Sequence, residues 1–259
     1  MRLTLRFCAL LAGSLMEFTA FAQTGSPAGS ELRPAYSVRS IPQPMPVVAY
    51  LSSAPMRLDF AGTWLLPKAH GDAQVTTVPG GLQIEVQLKG LCAASDLGPA
   101  YLTYVLWAGI PGGKFHNLGE VSVTGSAGAV AATTELTGFA MFVTAEPYFA
   151  VTEPSDAVVL RIATAPGSLR YKFAPDLLPL LRDRETPLDL VQARNAVRIA
   201  RRVGAERLAS AQLQTAVELL SQAEREYRVD DRWQTVLKAR QAIEAAEAAR
   251  MIAARAASE

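Results

Sequence analysis

The feature that most constrains this chain is a change of hydrophobic period. Through the first two-thirds apolar side chains recur at every second position, whereas from Leu188 onward they recur at every third or fourth. The chain therefore has to build a sheet first and a helical unit second. The clearest strand is Leu82-Gln83-Ile84-Glu85-Val86-Gln87-Leu88-Lys89, with four apolar residues on one face and polar ones on the other. Extended segments at 57–66 and 73–78 precede it, bounded by His70-Gly71-Asp72 and Pro79-Gly80-Gly81. Tyr101–Ile110 is apolar on both faces, which places it centrally in its sheet. Pro111-Gly112-Gly113 turns it, and 115–124, 129–136, 139–145 and 158–162 follow. Strands at this spacing with Gly and Pro turns predict an antiparallel β-sandwich or barrel over 55–165.

The helical part reads as three stripes. Leu190, Ala193, Val197 and Ala200 form the first, ended by Arg201-Arg202-Val203-Gly204. Leu213, Ala216, Val217, Leu220, Ala223 and Tyr227 form the second. Asp231 is placed to cap a third helix that carries Trp233, Val236, Leu237, Ile243 and Ala246 and runs on to Ala257. Short connections predict an antiparallel three-helix hairpin bundle over 187–257, and an α+β fold for the whole. Alanine at the contact positions buries little area, so the bundle is expected to lean on the sandwich, on a second copy of the chain, or on a partner. Trp64, Trp107 and Trp233 read as core or interdomain packing residues.

Residues 1–22 carry Arg2 and Arg6, an apolar run from Phe7 to Met16, and Ala20-Phe21-Ala22, the order of a cleaved signal peptide. The expected location is the periplasm, or release by secretion from a bacterial cell. No later stretch is apolar for long enough to predict a transmembrane helix. Residues 23–54 form a Pro/Gly/Ser-rich linker whose Pro46–Tyr50 part can add an edge strand. Residues 166–186, with three prolines, Pro187 just after them and the mixed charges of Arg182, Asp183, Arg184 and Glu185, read as a connector over the sandwich anchored by Tyr171, Phe173 and Leu177.

A formal charge of +1 on 259 residues lacks the basic excess that nucleic-acid binding requires. Cys8 lies in the leader, which leaves Cys92 alone; a small buried residue is one reading of it, and a nucleophile served by His70 or His116 the other. There is no Cys/His cluster with metal-ligand spacing, no phosphate loop and no dinucleotide fingerprint, so no metal, no cofactor and no enzymatic activity is predicted.

Two groups of side chains are candidates for contact. Arg194, Arg198, Arg201 and Arg202 line the first helix: they can meet phosphates of an anionic envelope polymer, or form a solvated face paired with Glu218, Glu224 and Glu226. Glu146 and Glu153 flank Pro147-Tyr148-Phe149, where carboxylates and aromatics can bind or hydrolyse a sugar, or cap the sandwich core.

The run YVLWAGIPGGKFHNLGEVSV, followed by FAMFVTAEP and PSDAVVL, resembles the extracytoplasmic C-terminal domain of zinc-type anti-sigma factors. The matching positions are Tyr104, Leu106, Trp107, Gly113, Lys114, Leu118, Gly119, Val143, Thr144, Glu146 and Pro147, within roughly 56–163. This resemblance implies the β-sandwich, not sigma-factor control. The segment 187–256, with Ala193, Ala196, Ala200, Ala205, Ala216, Leu220, Ala223, Ala239, Ala242 and Ala246, resembles an alanine-rich helical domain of unknown function of envelope proteins, often found ahead of OmpA-like domains. An Ala-rich bundle with little core of its own, beside a sandwich without catalytic residues, leads to the expectation of a non-enzymatic envelope binding or structural module holding an envelope protein or polymer through its helices. The alternative is a soluble sensory relative of anti-sigma ectodomains.

Overall fold

A computed structural model describes residues 43–50, 54–110, 114–163, 167–171, 180 and 185–259. The expected signal peptide, the linker at 23–42 and 51–53, and the connector residues Phe173 and Leu177 lie outside the described residues. Among the described residues, eleven antiparallel strands are followed by four α-helices. The strands are β1 (Gln43–Ala49), β2 (Met56–Gly62), β3 (His70–Val78), β4 (Gly81–Lys89), β5 (Thr103–Ile110), β6 (Lys114–Glu120), β7 (Ser122–Thr124), β8 (Ala127–Thr134), β9 (Gly138–Glu146), β10 (Val158–Ile162) and β11 (Gly167–Tyr171). Their order is β11-β1-β9-β10-β2-β3-β4-β8-β7, with β5 paired to both β9 and β6.

Only Val121 separates β6 from β7. The extended segment 114–124 therefore pairs with β5 through its first part and with β8 through its last. The sheet bends back on itself until it is nearly a barrel. β4 alternates as its period requires, with Leu82, Ile84, Val86 and Leu88 buried and Gln83, Glu85, Gln87 and Lys89 exposed. β1 starts earlier than the expected edge strand and is not an edge, because β11 pairs along its outer side and β9 along its inner one. Tyr171, read as a connector anchor, lies in β11 opposite Gln43.

β5 and β9 are buried on both faces, as their unbroken apolar sequence demands. Tyr104, Leu106, Ala108, Phe139, Met141 and Val143 point into the sheet's own core. Val105, Trp107, Ala140 and Phe142 point the other way, into a second core shared with the helices.

The helices are α1 (Leu188–Arg202), α2 (Ala205–Leu208), α3 (Ser210–Arg228) and α4 (Arg232–Ser258). The single turn α2 adds a fourth helix to the expected three. It follows Gly204, whose φ of 89° ends α1 in the left-handed region that glycine enters without strain. Asp231 caps α4, accepting the Gln234 N–H at 3.0 Å. α4 touches α1, α2 and α3 and is their common surface. Ala239, Ala242, Ile243, Ala246, Ala249 and Ala253 form its inner stripe. Such an alanine seam allows close approach of the helix axes but supplies little buried area of its own. The outer faces of β5 and β9 supply the rest.

Two tryptophans depart from expectation. Trp107 is completely buried, but Trp64 and Trp233 are 80% and 75% exposed. Trp233 and Leu237 lie one turn apart on α4, outside the alanine stripe, so they face solvent rather than the bundle. No helix among the described residues is long and apolar enough to cross a membrane.

Candidate functional site

The sheet and the helices meet at the 147–157 loop between β9 and β10. Glu146, the last residue of β9, begins it. Its carboxylate accepts the Ser155 N–H at 2.7 Å and the Thr144 hydroxyl, and Thr144 Oγ1 in turn accepts the Trp107 indole N–H at 2.8 Å. Ser155 Oγ donates to the Ala145 carbonyl at 2.7 Å, so the two ends of the loop are fastened together. Glu146 is buried, and burial pushes its carboxyl up to about 8; the donors from Thr144 and Ser155 oppose this, while the charge of Glu247 adds to it.

Glu247 on α4 holds the same loop from the helical side. Its Oε2 accepts the Tyr148 hydroxyl at 2.7 Å, and its Oε1 accepts the Thr152 N–H at 3.0 Å and hydroxyl at 2.6 Å. Arg250, one turn on, closes a bidentate pair at 2.7 and 2.9 Å. Burial and the adjacent charge of Glu247 raise the Tyr148 phenol well above its ordinary range, so it stays a donor. The hydrogen bond to Glu247 raises Arg250, against the opposing effect of burial.

A second polar centre lies about Arg240. Its Nη1 donates to Glu120 Oε2 at 2.7 Å and to Asp189 Oδ1 at 2.9 Å, and its guanidinium stands 3.7 Å from the centre of the Phe149 ring. Burial pulls Arg240 down, but the bonds and charges of Glu120 and Asp189 outweigh it and raise it overall. Gln192 bridges the centres, donating to Glu120 at 2.9 Å and accepting the Phe149 N–H at 2.8 Å. The sequence sets this up through a β-bulge: the β5–β6 register shifts between Leu106 and Trp107, and Gly119 adopts a φ of 129°. The bulge carries Asn117, whose amide donates to the carbonyls of Phe149 and Val151, both at 2.8 Å.

Of the four loop residues singled out by sequence, the structure turns three inward. Glu146 and Tyr148 are buried, Phe149 lies under Arg240, and Glu153 alone is exposed. Tyr148 and Phe149 thus pack against the helical unit, a neighbour that the expectation of a cap over the sandwich core did not include. Three of the four arginines have separate partners. Arg194 is bidentate on Glu224 at 2.7 and 3.0 Å, Arg198 donates to Asn195 at 3.0 Å, and Arg201 pairs with Glu206 at 3.4 Å. Arg201 and Arg202 remain exposed.

A cleft of about 850 Å³ opens between the 92–96 segment, β7 and the start of α1. Asp96, Thr103, Tyr104, Glu120, Asp189 and Gln192 are among its walls. Cys92 also lines it, half-buried, with Sγ 3.7 Å from the Tyr104 hydroxyl. His70 is exposed and its Nδ1 lies 3.0 Å from the Lys68 carbonyl.

Sequence reasoning missed Glu120, Asp189, Gln192, Arg240, Glu247 and Arg250. One signal was present for Glu247: it falls on the inner stripe with Ile243 and Ala246, where a charged residue needs a buried partner. No protein-family model, no curated protein and no solved structure matches the chain, so its function is argued from this geometry.

Proposed function

We propose that this protein is a non-enzymatic binding or structural module of a bacterial cell envelope, exported to the periplasm or secreted, that holds its partner through the helical segment. The observation that carries this reading is where the exposed apolar side chains lie. Tyr227, Val229, Trp233 and Leu237 stand out at the α3–α4 hairpin, and Met251 and Ile252 at the far end of α4. Trp64 and Val123 are exposed outside the helices, but most of the large exposed apolar groups lie on the α3–α4 hairpin, and such groups mark contact surfaces where they gather. The loop that combines carboxylates and aromatics packs against the protein's own helices through Tyr148 and Phe149. The partner is an envelope protein or an anionic envelope polymer reached by Arg201 and Arg202, and a second copy through the helices is one form the protein partner can take.

Co-sedimentation of the full chain with purified peptidoglycan sacculi and with outer-membrane vesicles tests this. The wild type is expected to pellet with one of them, and the Trp233→Ser, Leu237→Ser double variant to stay in the supernatant. Both substitutions are on exposed positions, so the variant keeps its thermal unfolding midpoint. Equal pelleting of wild type and variant overturns the helical contact.

A second reading, a soluble ligand-binding relative of anti-sigma ectodomains, is favoured by the cleft of about 850 Å³, which is of ligand-pocket size. It predicts that a small polar ligand raises the thermal midpoint of the wild type and fails to do so for an Asp96→Ala, Gln192→Ala variant. A screen of polar metabolites with no stabilising compound removes it.

A further inference from the structure

The α3–α4 hairpin ends in a tip that other elements do not tie down. From Arg228 to Ala239, among the described residues, every hydrogen bond stays within the hairpin. Arg240 is the first residue of α4 bonded elsewhere, to Glu120 and Asp189. Arg232, where α4 begins, lies about 12 Å further along the helix axis. Val229 and Trp233 stand on this free end at 72% and 75% exposure. Leu237 follows Trp233 on the same face of α4, and Tyr227 precedes Val229 at the end of α3. Arg225, Arg228 and Arg232 are exposed and make no ion pair among the described residues. With Lys238 they set four cations against the three carboxylates of Glu226, Asp230 and Asp231, and Asp231 is engaged in capping α4.

We infer that this tip docks on the surface of a lipid bilayer, with Val229 and Trp233 seated beneath the headgroups and Arg225, Arg228 and Arg232 among the lipid phosphates. The inference rests on the reading that the helical segment makes the contact, and it names the partner. A bilayer offers apolar chains under a layer of phosphates, and the tip offers apolar side chains beside unpaired guanidiniums. Tryptophan and tyrosine, with an apolar body and a polar edge, settle at that boundary. Arginine lays its stem along apolar chains and bonds phosphate oxygens in pairs with its fork. Asp230 stays in the hydrated headgroup layer, so side chains enter the bilayer and the backbone does not. Because the tip lies beyond the ties at Arg240 and Glu247, it reaches a flat surface without opening either. The near balance of charge makes apolar insertion the main source of affinity and the phosphate contacts the lesser one.

Flotation of the full chain with vesicles of phosphatidylethanolamine and phosphatidylglycerol tests this. The wild type is expected to float with them, and the Val229→Ser, Trp233→Ser variant to lose at least about tenfold in affinity. Both positions are exposed, so the variant keeps its thermal unfolding midpoint. The apolar run at 7–16 is the same in both chains, so the difference between them isolates the tip. Arg228→Gln, Arg232→Gln is expected to lose up to about fivefold per charge on these vesicles at low salt, and less on phosphatidylcholine. In a Trp64→Phe background Trp233 is exposed and Trp107 buried, so brominated acyl chains are expected to quench the Trp233 emission alone. Equal flotation of the wild type and the serine variant, or floated protein whose Trp233 is not quenched, overturns the docking. A wild type that does not float overturns it as well. If that protein still pellets with sacculi and the Trp233→Ser, Leu237→Ser variant does not, the helical contact stands and only its lipid partner falls. A wild-type dimer in sedimentation equilibrium that the serine variant loses, without flotation, gives the tip to a second copy instead.

Discussion

Glu247→Ala is expected to destabilise the protein by about 3–5 kcal/mol and to split one unfolding transition into two. The Glu247 side chain is 4% exposed and that of Arg250 20% exposed, so the alanine variant strands a largely buried guanidinium. It also leaves the Tyr148 hydroxyl and the Thr152 N–H without their acceptor. Each buried donor left unpaired adds about 1–3 kcal/mol of lost solvation, and these costs overlap with that of the stranded charge rather than adding to it. The second effect distinguishes a joint from an ordinary core position. Because the alanine seam of α4 buries little area, the helical segment depends on the sheet for stability, and Glu247 is a principal tie between them. Urea unfolding followed by far-ultraviolet circular dichroism, which weights the helices, and by amide exchange of β3 and β4, whose buried side chains belong to the sheet's own core, should coincide in the wild type and separate in the variant. Glu247→Gln keeps an acceptor for Thr152 but loses the charge opposite Arg250, and is expected to fall between the two. Coincident transitions in Glu247→Ala would show that the joint does not rest on this residue.

The same contrast explains what could be read from the sequence. The strands of β4, β5 and β9, the end of α1 at Gly204 and the cap at Asp231 follow from local rules: alternation, a left-handed glycine, a carboxylate before a helix. The inward face of α4 does not. Alanine fits a buried or an exposed position equally well, so a helix rich in it has no single apolar stripe, and Trp233 and Leu237 look like core residues although they lie beside the true seam. Closure of the sheet through Val121 was equally hidden, because one extended segment serves two neighbours that are remote in sequence. Glu146, Tyr148 and Phe149 were visible as an unusual loop. What they face was not, since Tyr148 meets Glu247 across 99 positions and Arg240 meets Glu120 across 120. The chemistry of a carboxylate is set by those distant partners, and only the fold brings them together.

Trp107→Ala carries the other large effect, an expected loss of about 3–5 kcal/mol, and it separates packing from hydrogen bonding at the same joint. Trp107 is fully buried on the helix-facing side of β5, where it meets Phe115 edge to face at 6.4 Å, and Phe115 meets Phe142 in the same way at 5.9 Å. Truncation opens a cavity beneath the helices that rigid strands on both sides of β5 cannot close by shifting inward. Trp107→Phe keeps most of the apolar surface and removes the N–H bond to Thr144, so it isolates a contribution of about 1 kcal/mol. Thermal and urea unfolding of both variants should give that ranking. Thr144 also serves Glu146, so Trp107→Phe frees the hydroxyl to bond the carboxylate alone. If the indole does not orient the Thr144 hydroxyl, the phenylalanine variant differs from the wild type by the same amount at every pH. If it helps fix the Thr144 hydroxyl toward Glu146, its stability falls away from the wild type as pH is raised above 8, where Glu146 is ionised and draws most on that donor.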